Sequence, residues 1–240
     1  MPVAAADQAL FAVVAAPAPA TVAQVIATMQ RIDDCMANDD GLKWFNLLYL
    51  NVTRQVDLQP VASWKDPAWL LGLDVVFAGF YLRALAGLLN DDPGVASSWS
   101  AVFEARYQTG VDRIQFALAG MNAHINHDLA LALLAADAQM GVVPGLVSPQ
   151  HVDYQAVNVL LESLIPPTLQ MLAADTLGVL AEDTGKVGRL LAFWDICRAR
   201  DLAWDFAGHL RDLSGTVRQA ALDAQDQVTG VLGRAILSIP

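Results

Sequence analysis

Apolar residues recur at helical spacing along almost the whole of this 240-residue chain, and no stretch alternates strictly for long enough to form a strand. That periodicity confines the chain to an all-α fold. Punctuation divides it into about eight helices. Asp66-Pro67 supplies an N-cap followed by a proline at the first helical position, and Thr21 can cap an earlier helix. Asn90-Asp91-Asp92-Pro93-Gly94 and Gly141 are breaks, Pro166-Pro167 ends or kinks another helix, and Thr184 opens the next. No linker is long or polar enough to divide two domains, so residues 20–240 read as one helical domain. Residues 1–19 read as a flexible or loosely docked leader.

Charge is scarce. Only 16% of residues are Asp, Glu, Lys or Arg, against a usual ~25%. Helices that are apolar nearly all round lie in the middle of a bundle or in a membrane. The best membrane candidate, residues 68–89, contains Asp74 and Arg83 and has no flanking cluster of Lys or Arg. Each of those charges costs about 2.5–3.5 kcal/mol at mid-bilayer, so the segment reads as a buried helix and no membrane span is expected. The apolar N-terminus lacks the basic n-region of an export signal. With only Cys35 and Cys197, both in helical patterns that make them small core residues, a cytoplasmic protein is expected. The net charge of −11 argues against nucleic acid as a partner.

The informative segment is the fifth predicted helix, residues 112–140, the expected buried centre of the bundle. On a wheel of about 100° per residue, one line holds Arg113, Ala117, Gly120, Met121, His124 and Asp128, and the opposite line holds Gln115, Leu118, Asn122 and Asn126. Both faces mix apolar and polar groups, so neither reads as solvated. Asn122, His124, Asn126, His127 and Asp128 fall within seven residues of an otherwise greasy helix. Burying five polar side chains is destabilising unless each finds a partner, and that density points to a site. His124 and Asp128, at i and i+4, are neighbours on one face, and a histidine held by a carboxylate suits acid–base work. The same pair could be metal ligands, with His127 as a third. Small residues at Ala117 and Gly120 allow a helix or a ligand to approach that face.

The run Ala119-Gly120-Met121-Asn122-Ala123-His124-Ile125-Asn126-His127-Asp128-Leu129 resembles the hallmark of an uncharacterised bacterial family, frequent in actinobacteria and known only as a domain of unknown function. The resemblance extends to Asp74-Val75-Val76-Phe77-Ala78 with Tyr81, to residues 99–106 and 115–118, and more weakly to Arg200 with Trp204. It implies a family identity and no established activity. In that family the position of His127 can carry arginine, which puts the weight on His124 and Asp128.

Other constellations carry less. Asp201, Asp205 and His209 share a stripe with Arg198, opposite Ile196, Ala199, Ala203 and Leu210, which is the pattern of an amphipathic helix with a solvated face. Trp194 on that polar side suggests a pocket mouth. Asp33-Asp34 with Asn38, Asp39 and Asp40 has the wrong spacing for the acidic motif of helical terpene cyclases and reads as a helix end with a polar loop. His127-Asp128 lacks the upstream histidine that His-Asp phosphohydrolases need. Asp74 and Tyr81, in the apolar third helix, with Glu104 and Arg106 in the fourth, suggest a buried network in which Arg106 or Arg113 pairs with Asp74.

The sequence therefore predicts an inter-helix pocket for a small apolar molecule, with His124 as the acid–base group oriented by Asp128. Asn122, Asn126, Asp74, Tyr81, Arg106 and Gln115 are its expected substrate-binding residues, and isomerisation, cyclisation or elimination is the expected chemistry. No cofactor motif is evident. The alternatives are a hydrolase with a divalent metal on His124, His127 and Asp128, a non-catalytic binder of a lipid-like or polyketide-like ligand, and a structural protein whose polar run fixes helix register.

Overall fold

A computed structural model describes residues 3–173 and 195–239. All of its regular elements are helical: α1 (Gln8–Val14), α2 (Val22–Cys35), α3 (Leu42–Asp57), α4 (Pro67–Leu89), α5 (Ser97–Glu104), α6 (Arg113–Ala123), α7 (Leu129–Met140), α8 (Pro149–Ala173), α9 (Ile196–Asp212) and α10 (Gly215–Leu237). Short 3₁₀ turns precede α1 and α4, and a π turn, His124–Asp128, joins α6 to α7. Among the described residues there is no strand. The starts follow the capping chemistry of the sequence. Thr21 Oγ1 accepts from Gln24 N at 3.2 Å, Asp66 accepts from Trp69 N at 3.1 Å ahead of Pro67, and Asp112 forms a reciprocal capping box with Gln115. Gly141 ends α7 in the left-handed region at φ 64°.

The continuous rod α6–π–α7 is the axis of the fold. Every residue from Ile114 to Ala123 is buried, because α3, α5, α8 and α10 close around α6 while α4 and α9 pack on α7. This agrees with the sequence in placing the segment at the centre. It corrects the expectation of one uninterrupted α-helix, since the backbone widens at the polar run. Close approach is made by glycines. A Cβ on Gly120 would fall 2.4 Å from Cγ of Phe45 on α3, and one on Gly230 of α10 would fall 3.0 Å from the Ser97 carbonyl oxygen.

Helix α4 is long and apolar enough to cross a membrane, and its face from Trp69 through Leu73, Phe77, Tyr81 and Leu85 to Leu89 is packed into the core. At the N-terminus, Leu10 is buried and Asp7 pairs with Arg106 at 2.7 Å, so α1 is held by both an apolar and an ionic contact. Helix α8 runs through Pro166-Pro167 to Ala173 rather than ending there. The predicted start at Thr184 and the pocket mouth at Trp194 lie outside the described residues. Cys35 is exposed and Cys197 half-buried, because the inward stripe of α2 is Val22, Val25, Met29 and Ile32 and Cys35 turns away from it. The stripe on α9 has Asp205 and His209 exposed, as its amphipathic pattern predicts.

Two glycines test this packing. Gly120→Ala forces the Phe45 ring to move, and urea denaturation should show a loss of about 1–3 kcal/mol from overpacking. Gly72 on α4 has open space where a Cβ would go, so Gly72→Ala should stabilise, by up to about 1 kcal/mol of helix propensity. Equal effects of the two would contradict the described approach of α3 to α6.

Candidate functional site

The polar run of the central helix sits in the π turn. Its defining bond runs from Leu129 N–H to the carbonyl of His124, five residues back, and such widened turns are frequent at functional sites. The turn lets two histidines reach the same carboxylate. His124 Nδ1 lies 3.0 Å from Asp128 Oδ2, and His127 Nδ1 lies 2.8 Å from Asp128 Oδ1. Trp99 of α5 adds a third donor, its indole Nε1–H reaching Asp128 Oδ2 at 2.9 Å. Asp128 is 2% exposed, and this set of donors is what makes a buried carboxylate tolerable.

The ring of His124 is enclosed by aromatic side chains. Phe77 stacks on it at 3.5 Å between centroids and 5° between planes, and Tyr49 meets it edge-on at 4.6 Å. Phe45, Trp99 and Tyr81 complete the wall. A carboxylate can only accept, so Asp128 fixes the proton of neutral His124 on Nδ1 and leaves Nε2 with its lone pair. That Nε2 is buried and has no hydrogen-bond partner. It belongs to a residue lining a narrow cavity of about 70 Å³ between α3, α4, the π turn, α8 and α9. Phe45, Tyr49, Phe77, Ile125, Val157 and Leu161 are among its apolar lining residues, and Asp74 and Arg200 are its charged ones. Asp74 Oδ2 is likewise buried without a partner.

The electrostatics separate these groups. Burial pulls the His124 pKa below the usual histidine value, against the opposing pull of Asp128. Burial acts downward on His127 too, but its hydrogen bond to Asp128 and the nearby charges of Asp128 and Asp226 outweigh it and raise the value. Asp128 is resisted by burial yet held below the ordinary carboxylate range by its two histidines. The charge pattern is thus a cationic-leaning His127, an anionic Asp128 and a neutral His124. Burial pushes the Asp74 carboxyl up to about 7, with the charge of Arg200 partly offsetting it. Burial first, and then the charges of Asp74 and Asp128, hold the Tyr49 phenol in its neutral form.

Of the residues expected to bind substrate, Asp74 reaches the cavity with His124, and the others are used elsewhere. Asn122 Nδ2 donates to the Thr229 carbonyl of α10 at 2.9 Å, Asn126 Nδ2 donates to Asn122 Oδ1, and Gln225 donates to the Asn126 carbonyl. These asparagines fasten α10 to the π turn, because their face of the central helix points away from the cavity. Gln115 completes the capping box and donates to the carbonyls of Ile236 and Ile239. Tyr81 donates its hydroxyl hydrogen to Asn46 Oδ1 and serves as aromatic wall. Arg106 does not meet Asp74. Its guanidinium grips Asp40 through two bonds, at 2.9 and 2.6 Å, because α5 delivers it to the loop before α3. Glu104 is exposed on Arg234.

Sequence reasoning missed Trp99, Phe77, Tyr49 and Arg200 as members of the site. Phe77, three residues after Asp74 on the same helix, and Arg200, an arginine among apolar positions, were the signals available. For the metal reading, the two histidine nitrogens and both oxygens of Asp128 that would meet a shared ion are already bonded to one another. Among the described residues no group of three or more His, Cys, Asp or Glu is arranged to hold a metal.

A carboxyl whose folded pKa is raised holds its proton more tightly folded than unfolded. The stability it contributes is fully present below the ordinary value of 3.8 and is lost as pH climbs through about 7. Asp74→Asn should therefore gain stability relative to the parent across that window, with a plateau above it, when urea unfolding of the two is compared at each pH. A difference that stays flat would show Asp74 to be solvated and ordinary.

A family model described as "Family of unknown function (DUF5995)" matches residues 22–239 and so covers α2 through the end of α10. No match was found among curated proteins or among solved structures. The chain belongs to that family of unknown function, DUF5995.

Proposed function

We propose that this protein is a small-molecule enzyme performing proton transfer on a largely apolar substrate, with His124 as the base. The observation that supports this reading most is the buried, unpartnered Nε2 of His124, which belongs to a cavity-lining residue and whose opposite ring nitrogen is held by Asp128. A purely structural histidine would be expected to satisfy both nitrogens, since an orphaned buried polar atom costs about 1–3 kcal/mol. The depressed pKa of His124 keeps the imidazole unprotonated near neutrality, the form a base needs. Asp74, pushed up to about 7, still holds its proton in a good share of molecules there and is the complementary acid. Two titratable groups separated in this way within one cavity match the division of labour in acid–base catalysis.

The reaction follows from that inventory. His124 Nε2 removes a proton from carbon, Asp74 protonates or hydrogen-bonds the oxygen on which charge develops, and the proton returns at the same or a neighbouring carbon. Isomerisation needs no more than this; in an elimination the carbon-bound proton stays on His124, and Asp74 gives its proton to the leaving oxygen as the C–O bond breaks. The narrow cavity of about 70 Å³ points to a substrate well below drug size, for which pockets run to roughly 300–1,000 Å³. A cytoplasmic setting suits the two unpaired thiols.

Proton transfer is detectable before the natural substrate is known. The protein would be incubated in D₂O with a panel of small apolar ketones, aldehydes and enones, and carbon-bound deuterium followed by mass spectrometry. Exchange should be catalysed for at least one member and fall by about 10²-fold or more in His124→Gln. Equal exchange in parent and variant across the panel would reject His124 as a base. Retained ligand binding without exchange would identify a binding protein instead.

A further inference from the structure

Arg200 on α9 is 6% exposed and lines the same cavity as His124 and Asp74. Its Nε donates to Asn158 Oδ1 at 2.6 Å, its Nη2 donates to the Tyr154 carbonyl at 3.1 Å, and the guanidinium lies over the Tyr154 ring at 4.1 Å. Both hydrogen-bond partners are neutral. The equally buried Arg106 is matched by Asp40 and Asp7, and the half-buried Arg211 by Asp137. Among the described residues Arg200 has no carboxylate within ion-pair distance. A guanidinium removed from water without an anion is strongly destabilising, yet two residues of α8, Asn158 and Tyr154, hold this one in place.

Asp74 lines the same cavity and feels the charge of Arg200, but its Oδ2 bonds to nothing. With burial pushing its pKa up to about 7, Asp74 is an O–H donor in a good share of molecules near neutrality. The cavity thus presents a cation with unused N–H donors, a carboxyl able to donate, and otherwise mainly apolar and aromatic walls. An Arg fork matches the two oxygens of a carboxylate in geometry as well as charge.

We propose that the His124 cavity binds a small organic carboxylate, its anionic group held by Arg200 and Asp74 and its short carbon skeleton lodged among Phe45, Phe77, Met121 and Ile125. What happens to the bound molecule rests on the proton-transfer reading above. The anion site itself stands on Arg200 and Asp74 and needs no catalysis.

Isothermal titration of the full-length protein with butanoate, hexanoate and benzoate, each paired with the alcohol of the same skeleton, tests the assignment. Each acid should bind at least ten-fold more tightly than its alcohol. Arg200→Gln should remove that preference, and His124→Gln should keep it. Alcohols binding as tightly as acids, no acid binding at all, or an unchanged preference in Arg200→Gln would each overturn the anion site. Should Arg200→Gln fail to fold, the acid-to-alcohol ratio in the parent decides alone, with Arg200→Lys expected to lower it. Acid binding in a protein that exchanges no protons would leave the anion site standing and reject the catalytic reading. Exchange on neutral compounds with no preference for acids would do the reverse.

Discussion

Asp128 is a carboxylate buried at the middle of the central helix, and the arrangement of the bundle around it follows from the need to satisfy it. Its oxygens accept from His124, His127 and Trp99. Two of those donors lie on the same helix at i−4 and i−1, and the third comes from α5. Removing one partner from a buried ionic set of this kind costs about 3–5 kcal/mol, because the others are left uncompensated. The π turn, the seating of α5 and the tautomer of His124 are therefore linked to one group. The free nitrogen of His124 is a consequence of the same bond: with Nδ1 engaged, Nε2 is the atom left without a partner.

Helix α10 reinforces this from the opposite side. Asp226 accepts the first two backbone N–H groups of α5, Ser97 at 2.7 Å and Ser98 at 2.9 Å, and so serves as an N-cap supplied by another helix. Asp226 Oδ1 also lies 3.9 Å from His127 Nε2. His127 thus stands between two acids, one buried and one half-buried, which accounts for its cationic lean, whereas burial is the main cause of the neutrality of His124. The asparagine pair binds α10 to the same turn. Polar groups on the face away from the cavity hold the helix in register, and on the other face Nε2 of His124 is left without a partner.

The fold class, most helix starts and the central position of residues 112–140 were legible in the sequence, because caps and apolar periodicity are local signals. The clustering of buried polar groups around His124 and Asp128 was legible too, through the density of polar residues in a greasy helix. Sorting that cluster was not. Asn122 and Asn126 look as functional as His124 on a helical wheel, and only the packing of α10 shows that Asn122 donates to the Thr229 carbonyl and that the Asn126 carbonyl accepts from Gln225, some hundred residues later. The sequence offers Arg106 or Arg113 as a partner for Asp74, whereas long-range topology gives Arg106 to Asp40 and gives the cavity Arg200. The π turn has no signature in a single sequence, since it arises from a tertiary demand on Asp128 rather than from propensity.

The central claim is that Asp128 holds the proton on Nδ1 of His124 and leaves Nε2 with a buried lone pair that has no partner. Long-range nitrogen–proton correlation spectra of the protein labelled with ¹⁵N-histidine read this directly, with His124→Gln assigning the ring. Near neutral pH, His124 should show a protonated, pyrrole-type Nδ1 and an unprotonated, pyridine-type Nε2, and it should become charged only below the ordinary histidine value of 6.5. An imidazolium spectrum at neutrality, or a proton on Nε2, would contradict the account.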